Sequence, residues 1–427
     1  MMASKYLAGG LCLGALALVA TASPVAADAV ADFYKGKRIQ MLIGYSPGGG
    51  YDRYARTISR YWGKHIPGNP TFVSRNLPGA GSMRLMNEVY NTRPKDGTVV
   101  ATVGRGMVQE QLFGGKGVKF DASKVSWIGS ANNEVSTCVV WHTVPVESLQ
   151  DFLNTEIVVG GTGPGADTDT FPMILNNLAG AKLKLVTGYP GGNDINFGIE
   201  RGELQGRCGW SWSSVVSTRA SWLKEKKIKV MLQLALDKHP DLPDVPLVMD
   251  LAKDDRARQI LTLIFGRQTM GRPYLTTPGV PADRLKALRA GFSAVFKDPE
   301  FQTMAKKTRL EINPVSGEAV QRIVTAMFKS PKDIVEAARV ASTSQERTQV
   351  SKAVVPVVTV SGKITGVQRE GRRIIWAGDV KKGRVNVGGS TEITVAGQKV
   401  KRSALKVGMT CDFKVKGVEA ALAIACK

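Results

Sequence analysis

Between Ile39 and Trp62 the chain passes from an apolar run through a glycine turn into an amphipathic run, and that order restricts the fold more than any other feature. Ile39-Gln40-Met41-Leu42-Ile43 reads as a short buried parallel strand. Tyr54, Ile58 and Trp62 recur every four residues, as on one face of a helix. Between them lies Gly44-Tyr45-Ser46-Pro47-Gly48-Gly49-Gly50-Tyr51-Asp52. Three glycines allow a sharp turn and close approach to main-chain N–H groups. Asp52 is placed to cap the helix that follows. A helix N-terminus with free amides is an anion site. Neither phosphate-loop pattern is complete, since Arg53 stands where the third glycine of G-x-G-x-x-G belongs. Taken alone, the stretch is equally well explained as an ordinary strand-to-helix turn.

The pattern recurs. Ile157-Val158-Val159 precedes Gly160-Gly161-Thr162-Gly163-Pro164-Gly165, with Asp167, Thr168 and Asp169 as candidate caps. Phe171, Ile174, Leu175 and Leu178 then share a helix face that Gly180 stops. A looser copy runs from Leu183 through Gly188-Tyr189-Pro190-Gly191-Gly192 to a helix containing Ile195 and Ile199. Strands alternate with helices over residues 33–348, which predicts α/β architecture with mostly parallel sheets. Ligands of open α/β sheets sit at the carboxyl ends of strands. Two such sheets facing each other would aim two helix N-termini at one anion, as in a two-lobed binding protein that closes by a hinge.

Export is predicted from residues 1–27, which carry Lys5, the apolar run Leu11 to Ala20 and the small-residue site Val25-Ala26-Ala27. The run is too short to span a bilayer. Removing the segment leaves Cys138, Cys208, Cys411 and Cys426, an even set in an exported chain. The expected pairs are Cys138–Cys208 and Cys411–Cys426, with four free thiols as the competing state.

The formal charge is +22, and residues 352–427 contribute +10 of it from 15 Lys/Arg and 5 Asp/Glu. Such a balance attracts small anions, anionic lipid or wall polymer. The charges are dispersed and no aromatic-basic motif accompanies them, which argues against nucleic acid. Residues 341–356 read as a polar linker. Beyond it, short Val/Ile/Thr strands separated by glycine turns predict a small OB-like β-barrel over 357–427.

The motifs in order resemble a family. Ser46-Pro47-Gly48-Gly49-Gly50-Tyr51-Asp52-Arg53-Tyr54-Ala55-Arg56 resembles the first ligand loop of the substrate-binding proteins of tripartite tricarboxylate transporters, the TctC or Bug family. Asn76-Leu77-Pro78-Gly79-Ala80-Gly81-Ser82, Pro94-Lys95-Asp96-Gly97, Ser148-Leu149-Gln150-Asp151-Phe152, Tyr189-Pro190-Gly191-Gly192 and Leu242-Pro243-Asp244-Val245-Pro246 resemble further family segments over about residues 33–340. The resemblance implies a two-lobed type II periplasmic binding protein fold. Lobe 1 would comprise 28–138 and 250–340, and lobe 2 139–249. It implies a small carboxylate ligand and membrane transporter subunits as partners, with no cofactor, no metal and no catalysis, in a periplasmic protein expected to be a monomer. The ligand residues it points to are Ser46, Gly48, Gly49, Gly50, Tyr51 and Asp52, then Thr162, Gly163, Gly165, Thr168 and Asp169, then Tyr189 and Gly191.

Three departures bear on function. Asp169 stands where family members often carry histidine. It is either a helix cap or the partner of a ligand, such as an amino-carboxylate, that carries an amino group or several hydroxyls besides its carboxylate. Trp210 and Trp212 alternate along an expected strand and would share a face toward the cleft, unless both are core. The basic tail extends past where the family normally ends. An enzyme is the rival from another class, but His65, His142 and His239 are scattered, and no H-E-x-x-H, C-x-x-C or G-x-S-x-G occurs. A solute sensor or adaptor would show the same cleft motifs as a transport receptor. A surface-binding protein would act through the basic tail instead.

Overall fold

The computed structural model describes residues 24–343, 349–353, 357–378, 382–416 and 420–427. The expected export segment lies outside them up to residue 23, and the helix Pro24–Tyr34 runs through its predicted cleavage site.

The first sheet contains, in spatial order, Val315–Ser316, Ser126–Ser130, Pro273–Thr276, Val99–Thr102, Arg38–Ile43 and Thr71–Asn76. The second contains Val350–Lys352, Leu183–Thr187, Ile157–Gly160, Gly206–Ser211, Ser136–Trp141 and Ile228–Leu234. Both are mixed rather than mostly parallel, which corrects the expectation. The parallel pairs come from the strand–glycine loop–helix units, whose helices return the chain in the same sense. Antiparallel pairs arise where the chain changes sheet. Ser136–Trp141 enters the second sheet between two antiparallel neighbours, and Pro273–Thr276 re-enters the first in the same way. Within the expected linker, Val350–Lys352 adds a parallel edge strand to the second sheet.

Helix patterning follows the apolar spacing. On Gly50–Trp62, Tyr54, Ile58 and Trp62 are fully buried against the first sheet. Trp62 stacks on Phe72 at 5.0 Å, and its indole donates to the Leu288 carbonyl. On Asp167–Ala179, Phe171, Ile174 and Leu175 are buried, and Gly180 ends the helix with φ +71°, which favours glycine. The sequence predicts a helix over about 317–340 interrupted at Pro331, and the break is there: Gly317–Phe328 and Lys332–Ser342 are separate helices, with Pro331 preceding the second. The disulfide Cys138–Cys208 ties two neighbouring strands of the second sheet.

In the tail five strands pair in a closed cycle. Val357–Gln368 lies between Arg373–Ala377 and Thr410–Lys416, and Lys382–Val395 lies between Arg373–Ala377 and Ala420–Cys426. Thr410–Lys416 and Ala420–Cys426 complete the cycle, with Cys411 opposite Cys426 and bonded to it. The glycine pattern predicts separate strands over 357–360 and 364–367 and over 384–387 and 392–395; each pair is instead one long strand. Gly362 and Gly388-Gly389 lie within them, where glycine bends a strand without ending it. Ile364, Ile374, Val385, Phe413 and Ile424 form the tail's core, with Trp376 stacked on Phe413.

Candidate functional site

The carboxyl ends of the two sheets enclose a cavity of about 50 Å³. Three helix N-termini face it, contributing Gly50 and Tyr51, then Asp167 and Thr168, then Gly192. Each begins a helix of at least nine residues whose N-cap side chain makes no capping bond. Their amides and dipoles therefore favour an anion in the space between them.

Three arginines also line the cavity: Arg105, Arg207 and Arg272. Arg105 follows the strand Val99–Thr102 of the first sheet and reaches across to Asp167, its Nε donating to Oδ2 at 2.7 Å. It also donates to Ser136, Ser211 and the Gly271 carbonyl. Burial works against its charge, but Asp167 and the more distant Tyr51 and Glu134 outweigh burial and raise its pKa. Arg272 pairs with Glu134 at 2.8 Å and donates to Ser213 and Ser214. Burial opposes its charge as well, and Glu134, Tyr51 and Tyr54 together outweigh it, so its pKa is raised.

Arg207 differs. It lies 8% exposed on the strand Gly206–Ser211 and donates to the Gly192 carbonyl and Asn196 Oδ1. Its guanidinium stands 4.8 Å from the Trp210 ring centre. Its Nε is buried without a hydrogen-bond partner, and no salt bridge to it is present among the described residues. Burial, then the positive charges of Arg272 and Arg219, push its pKa down to about 9. At neutral pH it remains a buried cation that an anion would stabilise. Arg267 stands behind this group, 3.4 Å from Asp167. Of the four buried arginines, Arg105 and Arg267 pair with Asp167 and Arg272 with Glu134, while Arg207 pairs with neither.

Space is tight where the two sheets meet. A Cβ on Gly50 would lie 1.9 Å from Ser214 Oγ, and one on Gly163 would lie 2.6 Å from the Gly81 amide nitrogen. Gly163 also has φ +131°. Ser46 donates to Asp194 at 2.5 Å, its amide donates to the Pro190 carbonyl, and Gly81 donates to the Thr162 carbonyl. With Arg105–Asp167, these contacts join the two sheets across the cleft.

Of the residues expected from sequence, Gly49, Gly50, Tyr51, Thr162, Thr168 and Trp210 line the cavity. Ser46 and Gly191 lie at the contact between the first and third loops, where a Cβ on Gly191 would meet Ser46 Oγ at 2.3 Å. Gly48 and Asp52 sit behind the first loop. The helix N-cap is Gly49, and Asp52 lies within the first turn, where it accepts from the Gly48 amide and Asn76 and pairs with Arg56. Gly163, Gly165 and Tyr189 are outside the cavity lining, and Tyr189 is directed toward Glu203.

Asp169 is not part of the cavity lining. Its carboxylate accepts from the Thr162 and Gly163 amides at 2.6 and 2.8 Å and from the Thr168 and Thr187 hydroxyls. It holds the loop before its helix; the N-cap is Ala166, so Asp169 is not the cap itself. Burial outweighs these bonds and raises its pKa to about 6. The shared face of the tryptophans is corrected. The strand ends at Ser211 and a helix begins at Trp212, so alternation stops there. Trp212 instead donates to Asp241 outside the cavity.

Sequence patterning missed Arg105, Arg207, Arg272 and Asp167 as site residues. The available signal was an arginine beside glycine at a strand end, as in Gly104-Arg105-Gly106, Gly206-Arg207 and Gly271-Arg272. Fully buried charges are rare unless paired. Among the described residues no cluster of three or more His, Cys, Asp or Glu is arranged to hold a metal, and no helix is long and apolar enough to cross a membrane.

No protein-family model matches the chain. No curated protein matches it. Several solved structures do. The periplasmic binding protein BugD matches with TM-score 0.59 at 18% identity, over 75% of this chain and 100% of its own. An R. palustris protein solved with adipate matches with TM-score 0.57 at 16% identity, over 71% of this chain and 97% of its own. MatC from Rhodopseudomonas palustris, with bound malate, matches with TM-score 0.56 at 16% identity, over 70% and 99%. At these identities the likeness is one of fold, so the body of this chain has the mixed α/β fold of periplasmic binding proteins.

Proposed function

We propose that the chain is a periplasmic solute receptor of the TctC/Bug kind, capturing a small carboxylate between two lobes and delivering it to the membrane subunits of a tripartite transporter. The observation that carries this reading is the cavity itself. Three helix N-termini converge there with Arg207, a buried cation that has no carboxylate salt bridge among the described residues. An anion entering would replace the hydration that Arg207 has lost and bridge loops from both sheets. Closure follows if the anion binds the closed arrangement better than the open one.

The fold supports the reading, as do the adipate and malate bound to two proteins of like fold. The lobes are assigned as 28–138 with 250–340, and 139–249. The tail 357–427 is assigned as a small OB-like barrel joined through 341–356, and the chain as a monomer without catalysis or cofactor. Because Asp169 is occupied with its own loop, the ligand chemistry proposed is a carboxylate with no required amino group.

The test is a thermal-shift and calorimetric screen of the purified protein against di- and tricarboxylates, amino acids and aromatic acids. A ligand specific to the folded state stabilises by about 2.7 kcal/mol at a hundred times its Kd. The expected result is a clear shift for one carboxylate class. Arg207→Gln should weaken that ligand by about 2 kcal/mol, roughly thirtyfold, as expected for loss of a charged hydrogen bond. The ligand-free variant should be no less stable than the wild type, since a costly buried charge is gone. If no carboxylate binds and the denatured protein releases no small anion by mass spectrometry, the receptor reading fails.

A further inference from the structure

An apolar groove of about 660 Å³ lies on the body, bounded by the helices Ala282–Val295 and Pro299–Thr308 and by the segment leading into Val315–Ser316, the edge strand of the first sheet. Phe292, Phe296, Phe301 and Leu310 line it, each at most 8% exposed. Phe296 meets Phe292 and Phe301 edge-on at 4.9 and 5.6 Å, so the rings hold one another in place. Lys297 and Lys306 are the only charged residues of the lining, and both are exposed. Neither ammonium group has a salt bridge among the described residues. Asp298 and Glu300, the acids nearest them in sequence, pair with Lys64, and Asp298 with His65 as well. The other polar side chains, Ser293 excepted, are occupied: Gln302 donates to the Phe296 carbonyl, and the Ser316 hydroxyl accepts from the Ala319 amide.

From this juxtaposition we propose that the groove binds a free single-chain amphiphile with an anionic head, of the alkyl carboxylate class. The apolar walls take the chain out of water, and the two lysines pair with the head. A chain with a cationic head would meet two like charges and no acid, so charge complementarity selects the anion. The recess selects a free molecule. Rings at most 8% exposed can receive a chain, but they do not protrude to enter a bilayer or to meet a flat protein face. The volume is within the range of small-molecule sites. The groove shares no lining residue with the cleft, so the two sites are separate. The cleft is built of amides and arginines for a compact anion; the groove is built of rings and aliphatic side chains for an alkyl one.

The test titrates the whole protein calorimetrically with hexanoate, octanoate and decanoate below micelle formation, and with decyltrimethylammonium as the chain of opposite charge. The expected result is decanoate binding, with affinity rising about threefold to fourfold per added methylene. The cation should bind roughly fivefold more weakly than decanoate at low salt. Ser293 is exposed on the groove wall, so Ser293→Trp places an indole in the space and should weaken decanoate by about tenfold. K297Q/K306Q changes only exposed side chains, so the fold is kept; it should weaken decanoate about fivefold and leave the cation no weaker. Arg207→Gln, in the cleft, should leave decanoate unchanged. The groove is overturned by an absence of decanoate binding, by affinity that does not rise with chain length, by equal binding of the cation, or by decanoate binding that K297Q/K306Q leaves unaltered. Decanoate binding lost in Arg207→Gln would place the chain in the cleft, which overturns the groove and leaves the receptor reading standing.

Discussion

The body and the tail are both rich in arginine, but they treat it in opposite ways. In the body Arg105, Arg207, Arg267 and Arg272 are at most 8% exposed and fixed by carboxylates, carbonyls or rings. In the tail Arg369, Arg372 and Arg384 are exposed, and the core beneath them is aliphatic with one aromatic stack. A buried cation costs solvation, so it exists only where its surroundings are built to hold it. An exposed cation costs little and is screened by salt. The body's arginines are therefore held in fixed positions at one place, and the tail's are spread over a surface.

The contrast is most exposed to failure at Arg105. Arg105→Ala would leave Asp167 buried and without its closest cation, since Arg267 is 3.4 Å away. Breaking a buried pair typically costs about 3–5 kcal/mol. Urea denaturation of the body should register a loss of that size, whereas Lys406→Ala on the tail surface should stay within about 0.5 kcal/mol. Equal effects would mean that the cleft charges are not held as described.

A smaller effect tests whether the tail stands on its own staple. Cys411–Cys426 closes 15 residues, for which the chain-entropy model gives about 3 kcal/mol. C411A/C426A should destabilise the tail by roughly that amount, seen as faster amide exchange confined to 357–427. Solute binding in the body should not change. Exchange that rises equally in both regions would show that body and tail unfold as one unit.

Periodicity made much of this fold legible. Tyr54, Ile58 and Trp62 announce a buried helix face, and Phe171, Ile174 and Leu175 announce another, because burial follows the 3.6-residue repeat. The glycine loops placed the site at strand ends, and Gly49, Gly50, Tyr51, Thr162 and Thr168 line the cavity. What sequence did not reveal depends on partners distant in the chain. Arg105 meets Asp167, 62 residues on, and Arg272 meets Glu134, 138 residues back. No local pattern marks such a pair. Trp212 was misplaced for a local reason: a strand became a helix between Ser211 and Trp212, and alternation has meaning only within a strand.

Asp169 carries the same comparison down to a single group. It is a buried body carboxylate whose environment favours the neutral form, with its pKa raised from 3.8 to about 6. Its folded pKa lies above its unfolded one, so its favourable contribution is full below about pH 4 and lost as pH rises through 6. A shift of about two units corresponds to at most about 3 kcal/mol, and screening inside the loop makes about 2 kcal/mol the expected size. Asp169→Asn keeps an oxygen for the Thr162 and Gly163 amides and offers an amide to Thr187, so the loop retains its bonds. The wild type should therefore lose about 2 kcal/mol more than the variant between pH 4 and pH 7 by chemical denaturation. All other titrating groups cancel in that difference. A zero or reversed difference would place the charge of Asp169 in solvent-like surroundings, and the second loop would then resemble the tail's exposed charges more than the buried arginines it faces.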